Sequence, residues 1–268
     1  MRGRDPLVLA ALALYAAPFF WQLLTSLKPE SELLRLPPLL PTHVTLAHYH
    51  AVLAQSTMGR ALVNSLGIAA LTTALAVVAG LPAAYAFARL PMRGRRWLLL
   101  GIVATTALPQ IATVSPLYLL MRFFGLRDTW TALVLAHASF ALPLTIWLLT
   151  GFICEIPAAV EEAAAVDGAG FGQTLRWVIG PLVAPGLASS ALLAFLFSWN
   201  EFLFAYTFTA TEASRTVPVA LALFPGVFEV PWGDIAAASM LASVPTLVIV
   251  IGFQRWLVQG LVAGAVKD

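Results

Sequence analysis

The sequence predicts an all-α membrane protein with six transmembrane helices, both termini on the cytoplasmic side. Three observations predict it. Of 268 residues, 60% are hydrophobic and 10% charged, whereas soluble domains carry about 25% charged residues. Apolar runs of about 18 residues or more, long enough to cross a bilayer, recur six times. Arginines concentrate in one short link, at Arg89, Arg93, Arg95 and Arg96.

The first run extends from Leu7 to Leu27. Arg2 and Arg4 precede it as in a signal peptide, but the run is long and no small-x-small cleavage site ends it, which favours an uncleaved anchor. Residues 28–60 form an extracytoplasmic segment, a proline-rich linker followed by a surface-lying helix. His43, His48 and His50 fall there. On a helix, His48 and His50 point to different sides, so no metal site is expected. The second run spans Ala61 to Ala88, the third Trp97 to Met121, the fourth Trp130 to Ile153, the fifth Leu182 to Thr209 and the sixth Ile235 to Val258. They use nearly the whole chain, so residues 1–268 read as one transmembrane domain. The arginine-rich link between the second and third runs belongs in the cytoplasm. Parity then places residues 155–181 inside and 211–232 outside. Arg2, Arg4, Arg255 and Lys267 agree with this orientation, whereas Lys28, Arg35, Arg60, Arg122, Arg127 and Arg215 fall outside.

Small residues recur every four positions at Ala76, Gly80, Ala84 and Ala88, and again at Gly186, Ser190, Ala194 and Ser198. Each set occupies one helix face where another helix can approach closely; at least one is expected to face another subunit, the alternative being packing within this one bundle. Pro109, Pro116, Pro143 and Pro245 interrupt runs and are candidate kinks. Cys154 is the sole cysteine, so no intrachain disulfide can form.

Several chemistries are missing. No Gly-x-x-x-x-Gly-Lys stretch exists, and the only lysines are Lys28 and Lys267, so no P-loop can cradle ATP phosphates. There is no His-Glu-x-x-His and no Gly-x-Ser-x-Gly. The glycines at 168, 170 and 172 lack dinucleotide spacing and a preceding strand.

The segment from Glu155 to Pro185, EIPAAVEEAAAVDGAGFGQTLRWVIGPLVAP, does not fit a simple bundle. Pro157 suits a first helical turn, Ala158 to Val166 favour helix, and Gly168 is a natural stop. A second helix follows with Phe171, Leu175, Val178 and Ile179 on one apolar face, ending at Pro181. The expectation is a short alanine-rich helix, a glycine turn and an amphipathic helix near the membrane. The alanine-rich helix can seat in a partner's groove, its acidic residues meeting donors at the rim; a solvated linker is the alternative.

Glu162-Ala163-Ala164-x-x-Asp167-Gly168-Ala169, then Pro181 and Pro185, resembles the cytoplasmic EAA loop of ABC importer permeases. Asp167 before Gly168 looks like the carbohydrate branch of that family, the maltose and trehalose type. Asn64-Ser65, Ala83 to Arg89, Pro116-Leu117-Tyr118, Gly125-Leu126-x-Asp128-Thr129, Ser198 to Phe202 and the tail Gly260 to Lys267 extend the resemblance over essentially the whole chain. Leu175 stands where the family usually has an aromatic, Val178 where it has isoleucine and Gly180 where it has leucine.

The resemblance implies a type I importer permease that passes a sugar by alternating access. Its implied partners are a second permease subunit, two ATPase subunits that use ATP and Mg, an extracytoplasmic sugar-binding protein and the lipid bilayer, with no nucleic acid. No cofactor on the chain itself and no enzymatic activity are implied. Glu161, Glu162, Ala163, Ala164, Asp167, Gly168, Ala169 and Pro181 become the ATPase-coupling residues. The apolar centre of the outer segment, Val219 to Phe224, is either covered by the binding protein or folded back on the bundle. Polar residues within spans, Asn64, Gln110, His137, Asn200, Glu201, Ser239 and Ser243, with Trp199 alongside, are candidates for the sugar path. Such residues also simply join neighbouring helices. Glu201, a carboxylate in an apolar span, must be paired, neutral or near water. Rival classes are a permease for glycerol phosphate or another polyol, a secondary transporter working alone, and an intramembrane enzyme drawing on His137, Glu201 or Asp234.

Overall fold

The computed structural model describes residues 6–33, 40–55, 57–224 and 230–265, with side chains outside positions 55 and 257–265. Arg2, Arg4, Arg35, Pro225 and the Val266-Lys267 end of the tail motif lie outside the described residues. Every regular element among the described residues is helical.

Helix α1 (Pro6–Ser26) is predominantly apolar and packs chiefly along α13 (Trp232–Ala265), with Ser26 Oγ hydrogen-bonded to the Tyr49 hydroxyl at 2.8 Å, and most of its surface is exposed. Two short helices follow, α2 (Glu30–Leu33) and α3 (Ala47–Gln55), the latter lying on α13 with Val52 buried. Helix α4 (Met58–Arg89) is the longest of the core. The third apolar run is not one straight span. It divides into α5 (Arg95–Ala104, continued as a 3-10 turn to Ala107) and α6 (Gln110–Phe123), bent by 93°. Pro109 explains the break: its ring pushes Leu108 into an extended conformation (ψ 132°), where helix cannot continue. Pro18, Pro82, Pro116, Pro143 and Pro245 remain inside helices.

Helix α7 (Trp130–Cys154) packs against α4. The loop that follows carries α8 (Ala158–Val166) and α9 (Phe171–Leu182). Within α9 the turns from Thr174 to Ile179 widen to π geometry. Pro181 accounts for this, because its ring clashes with the carbonyl four residues earlier and a wider turn relieves the clash. An 84° bend separates α9 from α10 (Ala184–Asn200). The fifth run ends earlier than its apolarity suggests: the backbone turns extended at Glu201 (ψ 126°) and restarts as α11 (Leu203–Phe208). Helix α12 (Val217–Ala222) precedes α13 (Trp232–Ala265). Among the described residues, four helices are long and apolar enough to cross a membrane, up to six crossings if each bent pair is one span.

Helices α4, α7 and α10 form a mutually packed core, with α13 on α10 and α1 outermost. Between helices in lipid there is little hydrophobic gain, so close packing decides which faces meet. Both small-residue stripes are consumed here, correcting the expectation that one faces a partner. Ala76, Gly80, Ala84 and Ala88 are buried within the chain, and a Cβ on Gly80 would lie 2.8 Å from Thr145 Cγ2. Gly186, Ser190, Ala194 and Ser198 are buried too, with Phe152 occupying the space a Cβ on Gly186 would need. The apolar centre of the outer segment folds back: Val217, Val219 and Ala220 are buried against α4 and α13.

Candidate functional site

Two polar assemblies occupy opposite ends of α4, and a third lies between them in the core. At the Arg89 end, α8 stands beside the last turns of α4. Its nine residues give two and a half turns, and its C-terminus closes as a Schellman motif. Gly168 takes a left-handed conformation (φ 82°), its N–H donates to the Ala165 carbonyl at 3.0 Å, and the Ala169 N–H donates to the Ala164 carbonyl at 2.9 Å. A residue with a Cβ is strained there, which is why glycine follows Asp167.

One face of α8 rests on the bundle and the other is open. Ala164 is buried and Ala169 half-buried, whereas Glu162, Ala163, Asp167 and Gly168 are exposed and Val166 is 87% exposed. Glu161 turns inward. Its Oε1 accepts from Arg89 Nε at 2.6 Å and its Oε2 from the Tyr85 hydroxyl at 2.8 Å, while Arg89 Nη2 donates to the Ile156 carbonyl at 2.7 Å. The Tyr85 ring meets Phe171 edge-on at 5.3 Å. Pro181 lies ten residues further along α9, beside Ile179 and Val183, which are buried with Ala84, Ala88, Leu149 and Ile153. The inner face of α9 is Thr174, Leu175, Val178 and Ile179; Phe171 is mostly exposed despite its contact with Tyr85.

At the opposite end, Asn64 is wholly buried. Its Nδ2 donates to the Glu212 and Arg215 carbonyls at 3.2 and 2.8 Å, and its Oδ1 accepts from Trp130 Nε1 at 3.2 Å. Ser65 Oγ accepts from the Val217 N–H at 2.8 Å. Across from them Asp128, itself left-handed (φ 61°), accepts from the Ala210 N–H at 2.8 Å, the Thr211 N–H at 3.2 Å, the Thr211 hydroxyl at 2.7 Å and the Ser214 hydroxyl. Partial burial alone would raise the Asp128 pKa; the hydrogen bonds from Ser214, Ala210 and Thr211 outweigh it and hold the carboxyl at about 2. Residues 209–217 are thereby fastened from two sides. At the same end His48 is buried, its Nδ1 2.6 Å from Asp234 and its Nε2 2.9 Å from the Lys28 carbonyl, joining α3 to α13.

The third assembly brings His137 and Glu201 together across α7 and the α10–α11 break. Glu201 Oε1 accepts from the Phe204 N–H at 2.9 Å, and Oε2 from the Ala205 N–H and His137 Nε2, both at 3.1 Å. These are the orphan donors of a helix N-terminus, so the side chain caps α11. With Nε2 donating to Glu201, a neutral His137 ring accepts the Ser198 hydroxyl proton at Nδ1, 2.7 Å away. Thr72 Oγ1 lies 3.5 Å beyond. The His137 and Glu201 side chains are 0% and 1% exposed.

The other path candidates are dispersed. Trp199 is buried, stacked on Phe195 at 5.8 Å. Asn200, exposed at the end of α10, donates to the Leu196 carbonyl at 2.8 Å. Gln110 is the half-buried first residue of α6. Ser239 and Ser243 each donate to the carbonyl four residues back on α13. Arg89, Tyr85, Thr72 and Asp128 are not site candidates on the sequence alone, although Arg89 belongs to the arginine cluster that sets orientation and Tyr85, Arg89 and Asp128 lie inside stretches that carried the resemblance.

A profile of the binding-protein-dependent transport system inner membrane component family matches residues 76–263. The trehalose transport system permease protein SugB of Mycobacterium tuberculosis is 46% identical over 93% of this chain and 92% of its own length. The trehalose/maltose transport system permease protein MalG of Thermococcus litoralis is 37% identical over 97% of this chain and 94% of its own. The fold matches a chain in the crystal structure of a bacterial ABC transporter involved in the import of the acidic polysaccharide alginate, with TM-score 0.82 and 22% identity over 96% of this chain and 99% of that one. The chain is an inner-membrane, multi-pass permease of the type I ABC importer fold and belongs to the family of inner-membrane components of binding-protein-dependent transport systems.

Proposed function

We propose that this permease moves a di- or oligosaccharide such as trehalose or maltose through an assembly with a second permease subunit, driven by ATP and Mg bound on two separate ATPase subunits. The observation that carries the proposal is the open face of α8. Glu162, Ala163, Val166 and Asp167 stand outward on a helix whose other face is fixed to the bundle. An exposed valine flanked by carboxylates suits a groove with an apolar floor and basic or N–H donors at its rim. The chain carries no ATP site of its own on this account, and Gly168 keeps the turn rigid so that force on α8 reaches the bundle. Both termini and α8 lie in the cytoplasm, and a binding protein delivers the sugar at the Asn64 end, where Asp128 and Asn64 brace residues 209–217. Asn200, exposed at the break after α10, is the path candidate best placed to meet a neutral sugar. The likeness to trehalose and maltose permeases across nearly the whole chain supports the sugar class.

The test is uptake of labelled trehalose and maltose into liposomes containing the chain with an ATPase, a companion permease and a binding protein from the same source. Uptake that needs ATP supports the proposal. Uptake by the chain alone without ATP would overturn it in favour of a secondary transporter.

A further inference from the structure

We propose that Arg89, Tyr85 and Glu161 form a fastener that makes the coupling helix α8 and the core helix α4 one rigid lever, so that α4 is the first element of the bundle to receive motion imposed on α8. The inference rests on the coupling role proposed for α8 above. Covalently, α8 follows α7, through Glu155, Ile156 and Pro157. A pull on α8 would pass first to α7 if the connection were all that held it. The side chains say otherwise. The last turns of α4 reach the loop at three points: Arg89 grips Glu161 within α8, the same guanidinium holds the Ile156 carbonyl just before α8, and Tyr85 adds its hydroxyl to the second Glu161 oxygen. The Tyr85 ring also touches Phe171 at the start of α9, so both arms of the loop are tied to one turn of one helix.

The chemistry suits a fastener. A guanidinium directing separate N–H groups at two acceptors fixes direction as well as distance. The Arg89 and Glu161 side chains are only 18% and 14% exposed, so water screens the pair weakly. Glu161 and Glu162 are adjacent, about 100° apart around the helix. One is therefore committed to the bundle while its neighbour is free for a partner. Arg89, Tyr85 and Glu161 are positioning residues: none needs to touch sugar or ATP.

The experiment uses the whole assembly, co-expressed with its ATPase and companion permease, with Cys154→Ser and spin labels at Ala159→Cys on α8 and Val78→Cys on α4, both exposed positions. The label separation is measured nucleotide-free and trapped with ATP and vanadate, and ATP hydrolysis is followed in liposomes. With the fastener intact the separation is the same in both states. In Arg89→Gln it shifts or broadens on trapping, while hydrolysis stays within about threefold, and Glu161→Gln shows the same shift on trapping. The reversed pair, Arg89→Glu with Glu161→Arg, restores the single separation, and Tyr85→Phe gives a partial effect. A separation that is constant in every variant, or that already changes in the intact protein, overturns the fastener while leaving the coupling role intact. If no ATPase co-purifies with the intact chain, the coupling role itself fails, and the fastener with it.

Discussion

Replacing Glu201 by alanine should release the start of α11 more than it disturbs any other part of the chain. The substitution removes the acceptor of the Phe204 and Ala205 N–H groups and of His137 Nε2 at a site with 1% side-chain exposure. Each of the three buried donors left unsatisfied costs about 1–3 kcal/mol. These overlap, so about 3–5 kcal/mol is the expected total. At about 1.4 kcal/mol per decade, local opening becomes roughly two to three and a half decades more frequent. Glu201→Gln keeps one acceptor oxygen and presents an NH₂ group in place of the other, for a cost of about 1–3 kcal/mol. Hydrogen exchange read by mass spectrometry on peptides covering residues 200–209, in nanodiscs, measures this directly. The reasoning is refuted if the alanine variant exchanges within threefold of the unaltered chain, or if glutamine is as damaging as alanine.

Three further outcomes follow from the same geometry. The Asp128 carboxyl is held at about 2 against an ordinary 3.8, so its contribution is complete above about pH 4 and lost as pH falls through about 2; proteolysis of residues 209–217 should rise over that window, and Asp128→Asn should flatten the rise while tolerating the left-handed backbone. Gly168→Ala forces a Cβ into φ 82° at a cost of about 1–2 kcal/mol, read as faster amide exchange at Asp167, Gly168 and Ala169, and Gly168→Pro should be worse because it also removes the N–H given to Ala165. Gly186→Ala places a Cβ 2.5 Å from the Phe152 ring, an overpacking that costs about 1–3 kcal/mol and should lower the temperature at which the protein leaves its monodisperse chromatographic peak; an unchanged temperature would mean that Phe152 yields freely.

The helices were legible because apolar length is a local property: Leu7 to Leu27 and Trp130 to Ile153 each carry enough contiguous apolar sequence to announce a span, and Gly168 after a nine-residue alanine-rich stretch announces its own cap. The breaks were harder. Pro109 marks a discontinuity in the sequence, but the size of the bend depends on what α5 and α6 pack against. At Glu201 neither proline nor glycine signals the interruption, which exists because a carboxylate just past the end of α10 captures the N–H groups of the next helix and an imidazole 64 residues away. The small-residue stripes show the general difficulty. Spacing identifies a face that accepts close approach, but only tertiary structure shows that Thr145 and Phe152 of the same chain are what approach it. Glu161 and Glu162 differ in the same way: the sequence offers two adjacent carboxylates, and their roles separate only when α4 brings Arg89 and Tyr85 against one of them.

The most direct test of the account is an affinity purification of the tagged chain in mild detergent, with mass spectrometry of what accompanies it, alongside the exposed-face variants Glu162→Arg and Gly168→Pro. The account predicts that an ATPase subunit and a second permease accompany the unaltered chain and that the ATPase is lost from the variants while the permease is retained. A chain that purifies alone and still carries trehalose or maltose into vesicles without ATP would contradict it.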